Sequence, residues 1–166
     1  MGSAQERLDG LENIYRLGFA GFVRTAAAIT GGAESGSDAV HDAFVSCVRG
    51  LSGFREEGTL EAWIWKAVIN SALRTRARAR LEVPPPSVTA AERSPSGEIA
   101  EGSSSLRVAI AALPERQRLV LFLRYYADLD YRMIAETLGV SVGTVGSSLN
   151  HAHTAVRTAL SQEVCQ

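Results

Sequence analysis

The stretch from Leu113 to Leu160 constrains the fold more than any other, because two short breaks divide an otherwise helical pattern where the local chemistry favours a turn. Asp130 offers a carboxylate to the free N–H groups of a helix start, and the segment after it carries Ile134, Ala135 and Leu138 on one side. Gly139 stands where a left-handed C-terminal residue belongs, and Ser141 can cap the next helix. Beyond Ser141, the residues Val145, Leu149, Ala152, Val156 and Leu160 recur at helical spacing, which turns Thr144, Ser147, Asn150, His151, Thr154 and Arg157 outwards. Helix, glycine turn, longer helix is the helix-turn-helix pattern, whose second helix enters a DNA major groove. A plain helical hairpin, one helix packed on another, has the same pattern.

Upstream, Leu11, Ile14, Tyr15, Phe19, Phe22, Val23, Ala26 and Ile29 form a broad apolar stripe of helical period, after mostly small or polar residues 1–6 that are expected to fray. Gly18 and Gly21 interrupt the stripe, each costing about 1 kcal/mol against alanine and giving the helix room to bend. Gly31-Gly32 ends it, and Ser35-Gly36-Ser37 leads into a second helix with Val40, Phe44, Cys47 or Val48, and Leu51 inward. Its other face carries Asp38, His41 and Asp42. Gly50 to Gly58 reads as a loop exposing Phe54 and Arg55, and Thr59 can cap a third helix with Trp63, Ile64, Ala67, Val68, Ala72 and Leu73 on its apolar side. Trp65 lies on a different face from Trp63; the expectation is a core Trp63 and a surface Trp65.

The end of this third helix is basic: Lys66, Arg74, Arg76, Arg78 and Arg80. The helix dipole favours cations in a last turn, which accounts for one or two arginines. Four alternating with small residues suit a surface for backbone phosphates. Pro84-Pro85-Pro86 and the Ser-, Ala- and Glu-rich residues that follow read as a flexible linker. Helix resumes at Ser105 with Leu106, Ala109, Ile110 and Leu113 inward; Pro114 suits a first helical position, and Leu119, Val120, Leu123 and Tyr126 face inward after it. The pattern is all-α: two small helical domains, 8–81 and 105–162, joined by a linker over 82–104.

A net charge of −1 gives no overall basic signature, so any nucleic-acid argument rests on these local clusters. Cys47 and Cys165 have no partner at metal-ligand spacing, and no nucleophile–base motif or phosphate loop is present, so neither metal, cofactor nor enzyme is expected. No stretch is apolar and long enough to span a bilayer, and the N-terminus lacks a signal-peptide layout, which fits a cytoplasmic protein.

LPERQRLVLFLRYYADLDYRMIAETLGVSVGTV is similar, almost position by position, to region four of the extracytoplasmic-function sigma factors, the smallest members of the sigma-70 family. SDAVHDAFVSCVRGLSGFREEGTLEAWIWKAVINSALRTRAR resembles region two of the same family. The resemblance implies a subunit that binds core RNA polymerase and directs initiation at promoter DNA. It implies that Asp38, His41 and Asp42 dock on the polymerase clamp helices. It places Phe54, Arg55, Trp65, Lys66, Asn70, Arg74, Arg76 and Arg78 at the −10 element, where π-faces and cations hold unpaired bases. Arg116, Arg124, Ser141, Thr144, Ser147, Asn150, His151 and Arg157 would lie at the −35 element, with Ser141 and Thr144 at an anion-binding helix N-terminus. An anti-sigma factor or an auxiliary activator is the further kind of partner implied.

The chain departs from the family where Lys-Ser-Arg-Leu-His-Arg-Ala-Arg is usual, reading Gly146, Ser147, Ser148, Leu149, Asn150, His151, Ala152 and His153. Apolar positions persist while cations are lost, which lowers phosphate affinity and salt dependence. Ser46, Cys47 and Val48 likewise replace a usual Arg-Ala-Trp. Two readings follow: a promoter-recognising sigma factor, or a sigma-like regulator that binds polymerase or another protein with little DNA readout of its own.

Overall fold

The apolar stripe of the N-terminal third forms one uninterrupted helix, α1 (Ala4–Thr30), in a computed structural model that describes residues 4–55, 58–82 and 104–164. Helix begins earlier than expected: Ala4, Gln5 and Glu6 are strong helix formers, and Gln5 Nε2 donates to Asp9 Oδ1 at 2.8 Å one turn on. Gly18 makes room for a core ring, since a Cβ there would stand 2.7 Å from Phe22. Gly31, at φ 88°, makes the turn into α2 (Ala33–Gly50), so Ser35-Gly36-Ser37 is helical instead of a lead-in. The reason is packing. A Cβ on Gly36 would lie 2.5 Å from the Ala27 backbone nitrogen, so the bare glycine lets α1 and α2 cross in close contact.

Leu51–Gly53 adds a single 3-10 turn, and α3 (Leu60–Glu82) starts on the expected cap, Thr59 Oγ1 accepting from Ala62 N at 3.1 Å. Helix α3 continues through Glu82, assigned above to the linker, because Arg, Ala and Leu all favour helix. The three helices pack on one another around Phe22, Phe44 and Trp65, with ring centroids 5.5 Å apart for Phe22–Phe44 and 4.4 Å for Phe22–Trp65. Each such buried side chain contributes roughly 1.5–3 kcal/mol. Cys47 is inward and Val48 exposed. Burial pushes the Cys47 thiol up to about 11, which makes it unreactive.

The described residues divide into two units, one within 1–97 and one within 98–166. Apart from its helical ends, Glu82 and Ser104, the linker lies outside the described residues, as does Cys165. The second unit comprises α4 (Ser104–Ala111), α5 (Glu115–Tyr125), α6 (Tyr131–Leu138) and α7 (Val142–Val164). Pro114 caps α5 from one position outside it, its carbonyl accepting from Arg118 N at 3.0 Å. Helix α7 packs on α4, α5 and α6, burying Val145, Leu149 and Ala152 against a core that includes Leu123 and Ile134. Phe122 is buried as well, beyond the inner face read from the sequence, and Tyr126 is half-buried at the C-cap. Among the described residues there is no β-strand.

Candidate nucleic-acid and protein-binding surfaces

In the second unit, two turns aim the long helix. Asp130 Oδ1 accepts from Met133 N at 2.8 Å and starts α6. Gly139, at φ 65° and ψ 41°, ends it, and Val140 N closes back on Ala135 O at 2.9 Å, as in a Schellman turn. Ser141 Oγ then accepts from Thr144 N at 3.0 Å and hydrogen-bonds Thr144 Oγ1 at 2.8 Å. The Ser141 oxygen is thus committed to the helix, while one hydroxyl proton of the pair is free for an anion at the α7 N-terminus.

Ser147, Asn150, His151 and Arg157 are all exposed on α7, and Thr144 is half-buried. Ser147 Oγ donates to Thr144 O at 3.1 Å and Thr154 Oγ1 to Asn150 O at 2.9 Å, so both must rotate before donating elsewhere. The positions where the family carries cations differ in exposure. Ser148 is only 8% exposed, on the core side, and Gly146 is half-buried, its absent Cβ lying 3.8 Å from the Tyr131 ring. The positions truly at the surface are His151 and His153, and His153 Nε2 is hydrogen-bonded to Tyr125 Oη at 2.9 Å.

Arg116 is exposed. Arg124 is occupied with local structure: its Nη1 reaches Asp128 Oδ1 at 3.3 Å and Leu129 O at 3.2 Å, tying down a loop in which Asp128 adopts φ 55°. Arg118 likewise donates to Ala111 O at 2.8 Å, joining α5 to the end of α4.

In the first unit, Asp38, His41 and Asp42 are exposed on α2, beside the exposed apolar Val45 and Val48. On α3, Lys66, Asn70, Arg74 and Arg78 follow at four-residue intervals, and all four are exposed in a row along the helix. Arg76 stands apart from that row and is half-buried.

The expectation for the tryptophans is reversed. Trp65 is 2% exposed and packs on Phe22, so it belongs to the core. Trp63 is half-buried and faces the loop, its ring 5.4 Å from that of half-buried Phe54. The physical reason is that α3 packs on both α1 and α2, so its buried arc is wide enough to take in Trp65 with Ile64, Val68 and Ile69. Arg55, next to Phe54, is exposed. Phe54 with Trp63 is therefore the half-buried aromatic pair at the loop, separate from half-buried Tyr15 and Phe19 on α1, and the signal for it is the pairing of a loop phenylalanine with the first tryptophan of α3.

Among the described residues no cluster of His, Cys, Asp or Glu could hold a metal ion, and no helix is long and apolar enough to cross a membrane.

Known proteins show the same design. The profile of sigma-70 region 4 matches residues 103–161. The RNA polymerase sigma-H factor of Pseudomonas aeruginosa is 30% identical over 147 residues, which are 77% of this chain and 74% of that protein. The ECF RNA polymerase sigma-E factor of Escherichia coli is 31% identical over 134 residues, 72% of this chain and 70% of the relative. Among solved structures, CnrH in complex with the cytosolic domain of CnrY has a TM-score of 0.68 at 19% identity, covering 96% of this chain and 95% of that one. The sigma factor RpoE, in complex with the anti-sigma factor NepR from Bartonella quintana, has a TM-score of 0.65 at 20% identity, covering 90% of this chain and 96% of that one. At such identities the structures establish the fold. Together with relatives matched over most of their length, they place the chain in the extracytoplasmic-function group of the sigma-70 family.

Proposed function

We propose that this chain is a promoter-recognition subunit of bacterial RNA polymerase, which binds the core enzyme and directs transcription initiation. The observation that carries the reading is the second unit's geometry. A Schellman-type turn and a serine cap present the N-terminus of a long helix, with polar side chains along its open face. That face fits a −35 major groove: Thr144, Ser147, Asn150 and His151 near the base edges, and Arg157 with Arg116 along the backbone.

In the first unit, the row Lys66, Asn70, Arg74 and Arg78 suits a −10 strand, the Asn70 amide reading a base edge and the cations holding phosphates. Phe54 and Trp63 offer the π-faces an unpaired base needs, with Arg55 beside them. Asp38, His41 and Asp42, flanked by Val45 and Val48, make a mixed acidic and apolar surface suited to a helical partner on the polymerase. An anti-sigma factor would act by covering these same surfaces. The chain would work in the cytoplasm, where its polymerase is, with no cofactor and without catalysing a reaction of its own.

A second reading has one observation in its favour: Arg157 is the only Lys or Arg on α7. It takes the chain as a polymerase-binding regulator with little DNA readout. In vitro transcription by core polymerase with this chain, over a library randomised at −35 and −10, separates the two. Enrichment of a specific pair of elements supports promoter recognition through both units. Enrichment at −10 alone assigns recognition to the first unit. Binding to core polymerase without specific initiation would refute the proposal in favour of the regulator.

A further inference from the structure

We propose that Asn150 gives the chain a preference for adenine at one position of the −35 element, read as a paired donor and acceptor in the major groove. This rests on the reading of α7 as the groove-entering helix and adds the base that the helix selects. Gly143, Ser147, Asn150 and Thr154 recur at helical spacing along the open side of α7, and all four are exposed. A Cβ on Gly143 would meet no more than Ser141 Oγ, at 3.7 Å. Asn150 is the longest side chain of the four, with a short one on either side of it, so its amide is the first group of the strip to meet a base edge.

The hydrogen bonds along the strip single out the same residue. Ser147 Oγ donates to Thr144 O at 3.1 Å and Thr154 Oγ1 to Asn150 O at 2.9 Å, so both hydroxyl protons are spent within the helix. The Asn150 side chain forms no hydrogen bond with another described residue, and it offers a carbonyl oxygen and an NH2 group side by side. Adenine presents the complement in the major groove, with N6–H donating and N7 accepting, so one amide can bond both atoms at once. Guanine presents two acceptors, O6 and N7, which leaves the amide oxygen without a donor. Cytosine and thymine each offer the amide a single polar partner. Reading guanine calls for a cationic fork, and Arg157, the one Lys or Arg of α7, lies seven residues beyond Asn150, about 10 Å along the helix axis. The N-terminal turns of the helix, which meet base edges in this motif, thus carry an adenine-reading group and no guanine-reading one.

The test uses the full chain with subsaturating core polymerase, in run-off transcription from promoters randomised at −35. The expected result is adenine enriched at one −35 position, with each other base there initiating about 5- to 150-fold less well. Asn150→Ala should level the four bases at that position and leave preferences elsewhere in place. The position is exposed and alanine is the better helix former, so the fold is kept, which circular dichroism checks. Replacing that adenine by 7-deazaadenine removes N7 and leaves base pairing intact. It should lower initiation about 2- to 12-fold with the unaltered chain and leave initiation by the Asn150→Ala variant unchanged. Three results would overturn the assignment while promoter recognition by α7 stands: a −35 preference that Asn150→Ala leaves unchanged, guanine as the favoured base at the position that Asn150→Ala levels, or undiminished initiation on the 7-deazaadenine promoter. Absence of any −35 preference in the unaltered chain overturns it together with the placement of α7 at that element.

Discussion

Replacing each tryptophan in turn separates core from surface in the first unit. Trp65 is 2% exposed and packed 4.4 Å from the Phe22 ring, and truncating a buried tryptophan costs about 3–5 kcal/mol. For a unit of this size each kcal/mol lowers the melting midpoint by about 4–8 °C, so a loss of about 4 kcal/mol lowers it by roughly 16–32 °C. Trp63 is half-buried, with Phe54 as its ring partner at 5.4 Å. Trp63→Ala forfeits an aromatic pair of about 0.5–1.5 kcal/mol and part of one side chain's burial, together about 1–2 kcal/mol. Thermal unfolding followed by circular dichroism measures both. Fluorescence adds an independent readout because the chain has 2 tryptophans. Trp63→Phe leaves Trp65 as sole reporter, with blue-shifted emission shielded from acrylamide; Trp65→Phe leaves the more accessible Trp63. A Trp65→Ala variant that loses less than about 1 kcal/mol, or a lone Trp65 quenched as readily as a lone Trp63, would refute the assignment.

Gly36→Ala gains about 1 kcal/mol of helix propensity but drives a Cβ to 2.5 Å from the Ala27 backbone, which cannot rotate aside. Overpacking of about 1–3 kcal/mol should win, lowering the urea midpoint; an unchanged or higher midpoint argues against the close α1–α2 crossing. Cys47 gives a pH dependence. Its folded thiol is raised from 9.0 to about 11, so above pH 9 the unfolded chain loses this proton first. The group's stabilising contribution is present below that point and is lost as pH rises towards 11, by up to about 1.4 kcal/mol per pH unit. A Cys47→Ala variant should lack this slope in urea titrations across the alkaline range. His151→Arg should restore a phosphate contact on α7, steepening the logarithmic salt dependence of −35 duplex binding by about 0.9; an unchanged slope would place His151 away from the backbone.

Much of the architecture was legible in the chain. Periodicity located each α-helix of the described residues, though not the 3-10 turn at Leu51–Gly53, because apolar residues at helical spacing have only one way to share a face. The caps at Thr59, Asp130 and Ser141 and the turn at Gly139 were readable one residue at a time, since each depends on bonds within a few positions. The outward residues of α7 were readable for the same reason, as that helix buries a single stripe.

Features that depend on two helices meeting were hidden. Trp63 and Trp65 stand two positions apart, on opposite sides of α3, and only the packing of α1 and α2 decides which side is inside. Ser148 looked like a lost surface cation until α7 was seated on its neighbours. Arg49 lies far in sequence from Arg74 and Arg78, and nothing local links it to them; the α2–α3 contact brings all three to one cleft. The sequence by itself determined which segments are helical and where Thr59, Asp130, Gly139 and Ser141 start or stop them, because capping and periodicity act over a few residues. The tertiary structure alone decided which tryptophan is core, which arginines are occupied and which converge, because burial and charge clustering depend on distances in space.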